Sequence, residues 1–129
     1  MAAELSGGCL CGYIQFKALN PAKAHSCSCD ICQKQTGGQT VVWLEFASAD
    51  VAWTGEGGQP SLYRSSEASS RAFCARCGSS LGAIDDAPTL ALLTGVFDQQ
   101  EDVALMPVSH SFEDMKPAWW RNLCPDATA

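Results

Sequence analysis

Eight cysteines, at positions 9, 11, 27, 29, 32, 74, 77 and 124, constrain this chain more than any other feature. Eight in 129 residues is about 6%, below the roughly 8–10% that marks a small disulfide scaffold. Hydrophobic residues make up 47% of the chain, so a core of ordinary size can form without covalent staples. The spacing of the cysteines therefore has to explain them. Cys9 and Cys11 form a CxC pair, Cys27, Cys29 and Cys32 a CxCxxC triplet, and Cys74 and Cys77 a CxxC pair. Sulfurs around a tetrahedral zinc, each about 2.3 Å from the metal, lie about 3.8 Å apart. Cysteines two or three positions apart on a turn meet that demand. Gly12 and Gly78 follow the second cysteine of each pair and let the chain fold back. One such pair is a weak signal. Two pairs and a triplet in one short chain point to zinc rather than to disulfides or idle thiols.

Seven clustered cysteines divide as four plus three. The two pairs, Cys9, Cys11, Cys74 and Cys77, make a closed structural site. The triplet, Cys27, Cys29 and Cys32, supplies three ligands and leaves a fourth position for water or a substrate sulfur. Spacing alone does not fix this pairing: the alternative is that Cys124 or His25 closes the second site and makes both structural. Cys124 stands apart near the end of the chain and reads as a buried or idle thiol.

The charge is 8 basic against 14 acidic residues, or −6, which argues against a phosphate backbone or an anionic membrane surface as partner. The N-terminal MAAELSGGCLCG has neither a basic n-region nor an apolar h-region. The longest apolar stretch, LALLTGVF at 90–97, is far short of a bilayer span. The expectation is a soluble protein of the reducing cytoplasm, where clustered cysteines bind metal or do chemistry.

Short apolar runs broken by Gly, Ser and Pro predict a mainly β chain. Strands are expected at 13–17, 40–46, 51–54, 61–64, 70–73, 79–84 and 89–97. In the first, Ile14 and Phe16 share one face. The segments around Cys74 and Cys77 read as a metal-knuckle hairpin. Short helices are expected at 31–36, capped by Asp30, and at 112–115. The whole reads as one domain over 1–129, with its core at about 5–121.

In this order the motifs resemble the glutathione-dependent formaldehyde-activating enzyme/centromere protein V family. The matching pieces are GGCLCG at 7–12, CSCDICQK at 27–34, FCARCG at 73–78, and SHSF…KPAW between 109 and 119. The resemblance implies a β-tent fold of short antiparallel sheets with zinc knuckles. It implies two zinc ions per chain, one on four cysteines and one on three, and glutathione or its formaldehyde adduct as ligand. The carbon–sulfur lyase activity comes from the resemblance alone. Ser28 stands where the family frequently has histidine, and Met115 where it often has serine.

Among other residues, His110 is a candidate for proton transfer at the second zinc. Lys34, just past the triplet, is a candidate for holding a substrate carboxylate. His25 reads as a surface or supporting residue. Arg76, inside the CxxC knuckle, would soften the charge of four thiolates. Trp119 and Trp120 suit packing on the β core, a pocket wall or a homo-oligomer interface.

Two functions follow. The first is a zinc-dependent lyase-like enzyme acting on a small-thiol adduct of formaldehyde or another small aldehyde. The second is a non-catalytic zinc or glutathione-binding module, or a protein-interaction domain. A methionine-sulfoxide-reductase-like role would need a reactive free cysteine, and only Cys124 is spare.

Overall fold

Alternation of apolar and polar residues sets the inner and outer faces of most strands. In β2 (Gln15–Ala18), Phe16 and Ala18 are buried while Gln15 and Lys17 face solvent. The structure, a computed structural model, describes residues 4–121. Cys124 therefore lies outside the described residues, as do both ends of the expected 1–129 domain.

β1 (Leu5–Gly8), β2 and β5 (Val51–Trp53) form a three-stranded antiparallel sheet. The larger sheet has seven strands in the order β10-β3-β4-β9-β8-β7-β6. Its members are β3 (Ala22–Cys27), β4 (Val41–Ala47), β6 (Ser61–Arg64), β7 (Ser69–Phe73), β8 (Ser80–Asp85), β9 (Thr89–Leu93) and β10 (His110–Ser111). Every pairing is antiparallel except β10 with β3, which is parallel. The mainly β architecture of short strands, with short helices, is as expected.

The core sits between the two sheets. Leu44 and Phe46 of β4 pair with Leu92 and Leu90 of β9 and pack with Leu5, Phe16 and Phe97. Phe16 is the hub of an aromatic group, edge-on to Phe97 at 5.0 Å and to Trp53 at 5.7 Å between ring centres. Trp43, Glu45 and Ala91 have the other parity on these strands. They turn to the opposite face of the large sheet, where the second cysteine cluster lies.

β1, β3 and β10 were not expected: LSGG, AKAHSC and HS lack β-branched residues and a clean alternation. They are strands because main-chain pairing and a few buried side chains hold them. The strand expected over 89–97 stops at Leu93, and Thr94–Val96 forms a 3-10 turn that carries Phe97 into the core. The helix expected at 112–115 is a 3-10 turn, Glu113–Met115, followed by a single turn of α2 (Ala118–Arg121). Trp119 is largely exposed there, so packing on the β core does not describe it.

α1 (Asp30–Thr36) starts one residue earlier than expected, because Cys29 and not Asp30 is its cap. The Cys29 sulfur accepts the Cys32 backbone N–H at 3.3 Å, and Asp30 occupies the first turn, where a negative charge suits the helix dipole.

Candidate metal centres

Two knuckles build the first cluster. After β1 the chain turns through Cys9 and Cys11, with the Cys9 carbonyl accepting the Gly12 N–H at 3.2 Å. After β7 it turns through Cys74 and Cys77, with the Cys74 carbonyl accepting the Gly78 N–H at 2.7 Å. Gly12 and Gly78 both have φ of 82°, a left-handed conformation in which a Cβ would be strained. The four sulfurs all lie within 4.8 Å of one another, with Cys9–Cys11 at 3.6 Å and Cys11–Cys74 at 3.9 Å. Those distances match the sulfur–sulfur edge of about 3.8 Å that a tetrahedral thiolate site for a metal such as zinc requires. The cluster joins a turn of the small sheet to a turn of the large one. The Ser79 hydroxyl lies 3.2 Å from the Cys77 sulfur and, with the Ser79 backbone, pulls that thiol down to about 5. Arg76 lies over the Tyr13 ring, 4.8 Å from its centre, beside this cluster.

The second cluster is assembled by a strand end and a helix start. Cys27 closes β3, Cys29 caps α1, and Cys32 sits buried in the first turn of that helix. Their sulfurs also lie within 4.8 Å of one another, with Cys27–Cys32 at 3.7 Å. Burial pushes the Cys27 thiol up to about 12. Burial also raises Cys32, against the opposing hydrogen bond and charge of Arg71. For Cys29 burial is outweighed by hydrogen bonds, chiefly from the Cys32 backbone N–H, and the thiol falls below its ordinary value.

This cluster opens on a cleft of about 280 Å³, lined also by His25, Trp43, Glu45, Arg71 and Asp85. Its floor can be traced across the sheet. Arg71 pairs with Ala83, Ala83 with Ala91, and Ala91 with Glu45, across β7, β8, β9 and β4. Paired residues share a face, so two alanines lie between a cation at one wall and a carboxylate at the other. Their short side chains are what leave the cleft open.

The structure brings His25 into this cleft but not into the sulfur cluster: its Nδ1 lies 2.8 Å from the Lys23 carbonyl and 3.7 Å from Glu45 Oε2. His110 is placed elsewhere. It pairs with Ser26 in the parallel β10–β3 register, and Ser26 has the opposite pleat parity to Cys27. Its Nδ1 bonds the Ser26 hydroxyl, and its Nε2 lies 3.3 Å from the hydroxyl of Ser28, which is fully buried between two of the cysteines. Lys34 also lies outside the cleft, on an adjoining groove with Asp30, Ile31, Gln35, Tyr63 and Ser65.

The residue that sequence reasoning missed is Arg71. It was visible only as one of several mid-chain cations. The available signal was its place inside an otherwise uncharged strand, two residues before Phe73 and the knuckle.

Residues 4–115 match the model of the family described as glutathione-dependent formaldehyde-activating enzyme. A Rhodobacter sphaeroides protein of known crystal structure is similar at 18% identity and a TM-score of 0.62, over 81% of this chain and 98% of that one. At that identity the likeness shows the fold alone. No curated protein matches the chain. The family match spans both cysteine clusters and all ten strands, and on that evidence the chain belongs to the glutathione-dependent formaldehyde-activating enzyme family.

Proposed function

We propose that both clusters hold zinc, two ions per chain, and that the chain is a carbon–sulfur lyase-type enzyme. Its substrate would be an adduct of glutathione, or a related small thiol, with formaldehyde or another small aldehyde. The observation that carries this reading is a three-sulfur cluster opening on a cleft beside a buried guanidinium. The family match supports the thiol and the aldehyde.

Cys9, Cys11, Cys74 and Cys77 would hold the structural ion, and their sulfur spacings suit it. Cys27, Cys29 and Cys32 would hold the other. Three soft ligands suit a fourth, and zinc bound there would supply Lewis-acid chemistry that favours a thiolate over a thiol at neutral pH. The rest falls to the chain. Ala83 and Ala91 make room for the substrate, and Trp43 and Leu90 give the cleft its apolar wall. His110 acts as a positioning residue, holding Ser26 and Ser28 on either side of Cys27. Lys34, on the adjoining groove, meets a carboxylate of a thiol long enough to reach across α1. A reducing cytoplasm suits thiols that form no disulfide among the described residues.

A non-catalytic zinc or glutathione-binding module is the second reading, favoured by the placement of His110 away from the cleft. NMR exchange decides between them. Zinc-loaded protein mixed with glutathione and 13C-formaldehyde is expected to speed exchange between free aldehyde and adduct. Exchange no faster than in buffer would favour the binding module.

A further inference from the structure

Arg71 is only 8% exposed, yet it makes no ion pair with a carboxylate among the described residues. Nη2 lies 3.6 Å from the Cys32 sulfur, and the guanidinium carbon lies 5.1 Å from the centre of the Trp43 ring. These contacts fix the plane of the group. They leave Nη1 buried with no hydrogen-bond partner among the described residues, on a side chain that lines the cleft beside the sulfur cluster. A buried donor without an acceptor is costly, and more so on a charged group. The position makes sense if the missing acceptor arrives with the substrate.

The geometry points to a role for Arg71 as a catalytic residue: we propose that Nη1 donates a hydrogen bond to the oxygen of the aldehyde carbon. This rests on the lyase reading above. Nη1 and Nη2 share one carbon, so an acceptor on Nη1 lies close to the sulfurs. In a thiol adduct, R–S–CH2–OH, the hydroxyl oxygen is two bonds from the sulfur. The carboxylates of a peptide thiol are several bonds further away. The oxygen within reach of Nη1 is therefore that of the aldehyde.

In the forming direction the thiol gives its proton to water. The thiolate electron pair makes the C–S bond, the C=O π pair moves onto oxygen, and the resulting alkoxide takes a proton from water. Cleavage is the reverse, with no change of oxidation state. Guanidinium remains protonated throughout, so Arg71 stabilises the developing negative oxygen and transfers no proton. Nη2 meanwhile supports Cys32, a task a lysine can share.

The test compares zinc-loaded wild type with Arg71→Lys. The variant is expected to keep its zinc content and to bind glutathione within about threefold. Its exchange rate at saturating thiol should fall about 100-fold or more, the range for loss of a donor to a developing oxyanion. A fall of less than about tenfold with zinc retained would overturn the proposal. So would a loss of glutathione affinity that accounts for the whole effect, since Arg71 would then read a carboxylate of the thiol. If the variant fails to fold or loses zinc, wild type still decides. 13C-formate added to glutathione-saturated protein is expected to show line broadening that formaldehyde abolishes. Formate that fails to bind, or that displaces glutathione, would contradict the role. An inactive wild type overturns the lyase reading and this proposal together; an active wild type with an unimpaired variant overturns this one alone.

Discussion

Ser28 has no exposed surface, and its hydroxyl has His110 Nε2 as a partner at 3.3 Å. His110→Ala leaves that hydroxyl and the one on Ser26 without the ring between them. The expected cost is about 1–3 kcal/mol, read as a lower urea midpoint with unchanged slope. The same change should weaken metal at the triplet by about 10–100-fold while sparing the four-cysteine cluster, as measured by chelator competition. Equal weakening at both clusters would mean that His110 supports the fold at large and not the loop. Ala91→Leu tests the cleft floor: the variant should fold and keep its metal while losing thiol binding, because the added side chain occupies the trough between Arg71 and Glu45. At this scale the cysteines were legible because metal binding needs short, regular spacings. Arg71 was not, because its partners Cys32 and Trp43 are 39 and 28 positions away in the chain and meet it only through the stacking of β4, β9, β8 and β7.

Among the elements, α1 does the most chemical work. Its cap is a cysteine sulfur, which fixes Cys29 and Cys32 in one turn and holds the Cys29 thiol below its ordinary value. Cys27, pushed up to about 12, and Cys32, also raised, hold their protons near neutral pH. Metal loading must displace those protons, so zinc affinity at the triplet should rise with pH between about 6 and 8. Chelator competition at both ends of that range checks this, and a flat profile would contradict it. The helix itself was readable from its polar start and the Gly37–Gly38 stop. β3 and β10 were not. AKAHSC alternates only over its first four residues, has only alanines on the apolar side there, and contains a register shift between Ala22 and His25, so its pairing with β4 comes from tertiary context.

Over the whole molecule, two sheets share one core, and the four-cysteine cluster ties a turn of one to a turn of the other. Phe16→Ala should cost roughly 3–5 kcal/mol in chemical denaturation, since the ring is fully buried and meets Trp53 and Phe97. The two clusters should fail differently. Cys77→Ser is expected to remove the tie between the sheets and unfold the chain, whereas Cys29→Ser should empty the triplet and leave the fold intact. The most direct measurement is zinc content together with the kinetics of release to a chelator, in wild type and Cys29→Ser. The expected result is two zinc ions per chain, one released quickly and absent from Cys29→Ser, the other held until the protein unfolds. A single ion, or two released equally slowly, would contradict a closed site paired with an open one.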